Sequence, residues 1–222
     1  MQKHNKQWGS TSDSGFTLIE VATVMVIVGL ILGTGVMMSG SLISGAHSKD
    51  VSKLAADLII ASSNFKERYG YLPGDLPDAA NDISGIAAAD ACNYDRTTDT
   101  VAGNGLIENN TATGGKSSEM ACAPVHLTNA GFIKGDGSTI RTDFGSVFLM
   151  DRATAEALGT NALVAIDDSI RNVIVFYNLP RNVVLALDEM FDDGVISSTT
   201  GKAIASDSSV DTAIVPFFAI PL

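Results

Sequence analysis

The residues best placed to do chemistry in this chain are a carboxylate inside an apolar run, a small-residue junction just ahead of it, and two cysteines. Glu20 stands between Phe16-Thr17-Leu18-Ile19 and Val21-Ala22-Thr23-Val24. A carboxylate in hydrocarbon costs about 2.5–3.5 kcal/mol on insertion scales, so Glu20 needs a partner or the headgroup interface. Gly15 ends a polar leader, MQKHNKQWGSTSDSG, that carries Lys3 and Lys6. A secretory signal has its cleavage site after the apolar core. Here the junction precedes the core, so a cut after Gly15 leaves the apolar segment on the mature chain as an anchor. The same cut frees an α-amino group on Phe16, a cation one helical turn from Glu20. The two charges then pair within one helix or between adjacent subunits; water at the headgroups is the other way to satisfy Glu20.

Cys92 and Cys122 have neither CxxC spacing nor a His at zinc-ligand distance in sequence. In a domain outside the cytoplasm the expectation is one disulfide closing a loop of about 30 residues, stabilising by about 3–4 kcal/mol. Two buried free thiols are the alternative. Of the histidines, His4 lies in the leader and His47 beside the apolar run, which leaves His126 inside the domain. No GxSxG or HExxH occurs, so hydrolase chemistry has no anchor. Gly114-Gly115-Lys116-Ser117 ends like a phosphate-binding loop, but Asn110 occupies the required first glycine and no strand precedes it. Asp188, Asp192, Asp193 and Gly194 offer oxygens suited to Ca²⁺ without the stricter EF-hand spacing, and a solvated helix end explains them equally. No catalytic residue, metal site or cofactor is assigned.

The elements around these residues follow from composition and periodicity. The chain has 222 residues, 45% hydrophobic and 18% charged, too apolar for a disordered tail. Lys plus Arg number 14 against 25 Asp plus Glu, a formal charge of −11, which argues against a protein that neutralises nucleic-acid phosphates. From Val21 through Ser48 there is no Asp, Glu, Lys or Arg. A transmembrane helix needs about 20 mostly apolar residues, and this run supplies them. Lys3 and Lys6 before it and an acidic chain after it place the amino terminus in the cytoplasm and the domain outside.

Beyond the apolar run, Val51, Leu54, Ala55, Leu58, Ile59, Ser62, Phe65 and Tyr69 recur at helical spacing, with Gly70 and Pro73 as stop signals. One helix is expected from Phe16 to Tyr69, apolar all round in its first half and striped in its second. Gly29 and Gly33 match GxxxG, a close-packing face. Residues 71–143 read as loop-rich: Leu72-Pro73-Gly74-Asp75 is turn chemistry, and residues 95–118 abound in Thr, Gly, Asn and Ser. Strands are expected at 144–150, 162–166, 172–177 and 213–220, with Pro216 favouring an edge, and a short helix after Pro180 ending near Gly194. This order gives an α+β fold, a long amino-terminal helix packed on a small antiparallel sheet.

Gly15-Phe16-Thr17-Leu18-Ile19-Glu20, after a basic leader and before a long apolar helix, resembles the class III signal of type IV prepilins and type II secretion pseudopilins. The resemblance implies cleavage between Gly15 and Phe16 by prepilin peptidase, methylation of the Phe16 amine, and a role for Phe16 and Glu20 in filament assembly. It also implies a pilin-like fold divided into a removed leader (1–15), a long helix (16–70) spanning the membrane to about residue 40, a loop-rich region with the disulfide (71–143), and a sheet with a short helix (144–222). The implied function is that of a non-enzymatic subunit of a type IV pilus or a type II secretion pseudopilus. The implied partners are other pilin or pseudopilin subunits and an inner-membrane assembly platform. The implied location is the bacterial inner membrane, with a periplasmic domain that joins an extracytoplasmic filament. Gly35-Val36-Met37-Met38 stands where many major pilins carry a kinking proline. More loosely, Leu72-Pro73-Gly74-Asp75, Asn104-Gly105-Leu106-Ile107-Glu108 and the stretch from His126 to Gly135 resemble segments of a subset of pilin-like proteins. The alternative from another class is a singly anchored extracytoplasmic binding protein or adhesin, calcium-dependent, that does not polymerise; an anchored enzyme ranks third.

Overall fold

An unbroken run of helix-compatible residues after Thr17 forms α1, Leu18–Tyr69, 52 residues long. The computed structural model describes residues 15–95, 102–110, 115–158, 164–206 and 212–222, and within α1 the side chains outside 36–44. Residues 1–14 of the expected leader (1–15), with Lys3, His4 and Lys6, and Gly114 lie outside the described residues. Gly70 ends α1 with φ +80°, its amide bonded to Lys66 O at 2.8 Å, a left-handed stop that a side chain would strain.

The chain divides into two units, Met1–Ile43 and Ser44–Leu222. In the first, Leu18–Gly35 is the one stretch among the described residues long and apolar enough to cross a membrane, and none of it is buried by protein. In the second, the remainder of α1 presents Val51, Ala55, Leu58 and Phe65, all buried, at i, i+4, i+7 and i+14.

That stripe packs on a five-stranded antiparallel sheet of order β1-β2-β3-β5-β4. Its strands are β1 (Ile140–Arg141), β2 (Ser146–Asp151), β3 (Asn172–Pro180), β4 (Ile204–Ala205) and β5 (Ile214–Pro221). Strand residues alternate between faces. Val147, Leu149, Ile174, Phe176, Phe218 and Ile220 join the α1 stripe in one core. Met150, Val173, Val175, Phe217 and Ala219 form a second core on the other face, with Ala155, Val164, Ile166 and Ile204. The fold is therefore α+β, an amino-terminal apolar helix with a five-stranded antiparallel sheet in the pilin-like arrangement.

Four details differ from the sequence reading. Val164-Ala165-Ile166, the described part of the strand expected at 162–166, forms no strand. Its amides are taken instead by Glu156 Oε1 (from Ile166, 3.1 Å) and Ser198 O (from Ala165, 3.1 Å), so no ladder is needed. A helix, α4 (Arg152–Leu158), follows β2 directly. Within the loop-rich region a short helix, α2 (Ala79–Asp82), is followed by α3 (Glu119–Asn129), started by Ser118, whose Oγ accepts from Ala121 N at 3.4 Å. Pro124 inside α3 removes one backbone donor and masks the helix in sequence. Finally, β5 lies between β3 and β4 instead of at an edge, but β4 pairs only with Phe218 and Ala219, so Pro216 needs no partner there. The helix after Pro180 is α5, Arg181–Phe191.

Candidate functional site

At the start of α1, Thr17 and Glu20 cap each other. Thr17 Oγ1 accepts from Glu20 N at 3.3 Å. In return Glu20 Oε2 accepts from Thr17 N at 2.8 Å and from Thr17 Oγ1 at 2.7 Å. This reciprocal arrangement is a capping box. It satisfies a carboxylate inside an apolar segment without any second chain. The uncut chain has a peptide nitrogen at Phe16, so the amine expected to face Glu20 does not yet exist; Thr17 holds the carboxylate instead. The T-x-x-E spacing was legible in the sequence, and it was Thr17's part in the pair that the charge argument overlooked.

Around this pair the helix is bare. Phe16 is 86% exposed and Leu18 88%, and no side-chain Cβ at Gly15 would meet any atom within 4 Å. The peptide bond from Gly15 to Phe16 is thus unobstructed by the described residues. Thr23 and Thr34 return their hydroxyls to helix carbonyls, Glu20 O at 2.9 Å and Leu30 O at 3.1 Å, so neither of these two hydroxyls is desolvated unpaired. Gly29 and Gly33 meet nothing within 4 Å, so both are open for a close helix approach.

The domain holds a second constellation, made of the very segments of looser resemblance. Gly74 has φ +93°, and a Cβ there would lie 2.3 Å from Glu119 O, so the turn admits only glycine. Its amide donates to His126 Nδ1 at 3.0 Å, which fixes the neutral tautomer; Nε2–H then donates to Cys92 O at 2.8 Å. Buried and stacked on Phe65, His126 is pushed down to about 4 by desolvation. It acts as a brace, not as an acid or base at neutral pH. Next to Gly74, the buried Asp75 accepts from the amides of Gly103, Asn104 (3.1 Å) and Gly105 (2.8 Å). Glu119, 1% exposed, accepts from Glu108 N at 2.9 Å through Oε2. Asn172 at the start of β3 binds the same loop through Ile107 N (3.0 Å) and Gly105 O (2.9 Å). Cys92 and Cys122 are joined in a disulfide with Cα atoms 5.3 Å apart, packed on the buried Tyr94. Glu119 and Asn172 carried no sequence signal, because a lone acid or amide in a polar stretch reads as surface.

The other sequence candidates are scattered. His47 Nδ1 lies 3.0 Å from Asp143 Oδ2 at the surface. Lys116 Nζ donates to Asp90 O at 2.8 Å and is engaged away from any phosphate cradle. Asp188 is buried beside Asp192 and Asp193, and burial with those two charges raises it to about 6. Asp192 Oδ2, however, accepts from Lys202 N at 2.6 Å, and Asp193 Oδ1 from Val195 N at 2.8 Å. Among the described residues no three His, Cys, Asp or Glu side chains converge to hold a metal ion.

Residues 11–36 match the family model of the prokaryotic N-terminal methylation motif. The chain therefore carries the class III leader of type IV prepilins and pseudopilins, and the match takes in the capping box and the apolar span Leu18–Gly35. No curated protein and no solved structure matches the chain.

Proposed function

We propose that this protein is a filament subunit of a type IV pilus or type II secretion pseudopilus, anchored before assembly by α1 as a single span with its amino terminus in the cytoplasm. The observation that carries the reading is the pairing of a methylation motif at residues 11–36 with an exposed apolar span, Leu18–Gly35, whose one carboxylate sits at the first turn of its helix. In this reading prepilin peptidase cuts between Gly15 and Phe16 and methylates the new amine. Glu20 then exchanges its Thr17 hydrogen bonds for the cationic amine of a neighbouring subunit. In a low-dielectric environment a charge pair gains most when its partner is placed correctly, so the exchange rewards one axial register. The domain faces outward, in an oxidising compartment where the disulfide of Cys92 and Cys122 persists.

The test is processing. Intact-mass measurement of the membrane-extracted protein should give a chain that starts at Phe16 and carries one methyl group. A full-length chain, or one cut after the apolar helix, overturns the reading. A correctly processed chain that never appears in sheared filaments or crosslinked oligomers favours the anchored, non-polymerising binding protein.

A further inference from the structure

We propose that Asp75 and Glu119 share a single proton, held on Glu119, and that this proton latches residues 102–108 onto the Leu72–Asp75 turn. Both side chains are shut off from water, at 0% and 1% exposure. An ionised carboxylate offers about four lone-pair sites. Three backbone amides, those of Gly103, Asn104 and Gly105, take three of them on Asp75. Glu119 Oε2 accepts from Glu108 N, while Oε1 meets no donor at all. An acceptor-only carboxylate buried with an orphaned oxygen beside a second carboxylate is a costly arrangement. A hydroxyl at Oε1, donated to Asp75, removes both the orphan and the second charge. It also fills the fourth site.

The surroundings agree. Burial raises both groups above the ordinary carboxylate range, the three amides pull Asp75 back toward the ionised form, and Glu119 is pushed up to about 8. The groups facing the pair do not neutralise a second anion. Glu108 adds a further negative charge toward Glu119. Arg171, just before β3, sends its guanidinium to Asn104 O at 3.3 Å. Asp151, whose amide binds Ile107 O, turns its carboxylate to the amides of Ala153 and Thr154. His126 on α3 is neutral and committed to Gly74 and Cys92. Loss of the proton would leave two adjacent buried anions, and the relief is for the loop to let go of the turn.

The experiment is amide hydrogen exchange on the full detergent-solubilised chain at about pH 5.5 and about pH 9.5, corrected for intrinsic rates, with β3 as internal reference. Protection of Gly103, Asn104, Gly105 and Glu108 should fall by about tenfold or more relative to β3 at the higher pH. Glu119→Gln, whose amide nitrogen can donate to Asp75 with no proton to lose, should keep that protection at both pH values. Unchanged protection in the wild type, or the same loss in Glu119→Gln, overturns the proposal. Should the variant fail to fold, infrared spectroscopy of the wild type decides. A buried carboxylic-acid carbonyl band that survives above the range of Asp188, raised only to about 6, and titrates away on further alkalinisation supports the latch, and absence of that band rejects it.

Discussion

The two acidic sites of this molecule satisfy their charge in opposite ways. Glu20 finds its partners three residues away, on Thr17, at a helix end open on every side. Asp75 finds its partners 28 to 30 residues away, on the amides of Gly103, Asn104 and Gly105, inside the domain. A local pair forms as soon as its helix does and remains free to change partners. A long-range pair exists only when the whole domain is folded, and it ties together segments that have no stability of their own. The first arrangement suits a contact that must be exchanged during assembly. The second suits a fixed shape.

The largest effect that would sharpen this contrast is at Glu20. Glu20→Ala should leave membrane insertion intact or improve it, because a desolvated carboxylate is removed. Filament yield should drop by more than about tenfold, since the charge pair expected between subunits is gone. Glu20→Asp should fall between. Processed subunit in membranes is compared with subunit in sheared filaments; normal polymerisation of the processed Ala variant would reduce Glu20 to a helix cap. In the domain, reduction of the disulfide that spans 30 residues should destabilise the fold by about 3–4 kcal/mol, read as a lower urea midpoint. No shift on reduction would mean that the surrounding hydrogen bonds alone order that region.

The domain should also answer to pH with two opposite slopes, which a purely local site would not show. His126 is held down to about 4 from an ordinary value near 6.5, so the unfolded chain binds more protons between these values. Stability contributed by neutral His126 is therefore full above about 6.5 and is lost as pH falls toward 4, by about 3 kcal/mol in all. Glu119 is raised, so the folded chain holds the extra proton, and stability declines as pH climbs from the ordinary carboxylate value through about 8. Asp188, raised to about 6, opposes the His126 slope in the same window, so each limb is read as the difference between urea titrations of wild type and variant. His126→Gln should flatten the acid limb and Glu119→Gln the alkaline one; a single variant removing both would break the assignment. The smallest effect is at Thr17. Thr17→Ala should weaken the first turn of α1 by about 1 kcal/mol, seen as faster exchange of the Glu20 amide in micelles, with domain stability unchanged.

Much of the molecule was legible before any coordinates because the responsible interactions are local or periodic. The apolar run, the stripe from Val51 to Phe65 and the Gly70 stop all read directly, as did strands β2, β3 and β5, whose β-branched and aromatic residues are buried on both faces. Pro124 hides the helix α3, and the short apolar run at Val164 reads as a strand although its residues cover the sheet without joining it. Amino-acid order alone thus determined the methylation motif at residues 11–36, the placement of a carboxylate at the first turn of an apolar helix, and the α+β succession of elements. Only the tertiary structure decided that Asp75, Glu119, His126 and Asn172 belong to one web. Each is a single polar residue whose partners lie 11 to 67 residues away, and burial turns an ordinary surface side chain into one that must be paired. That requirement exists only once the surrounding chain has excluded water, so no window of sequence contains it.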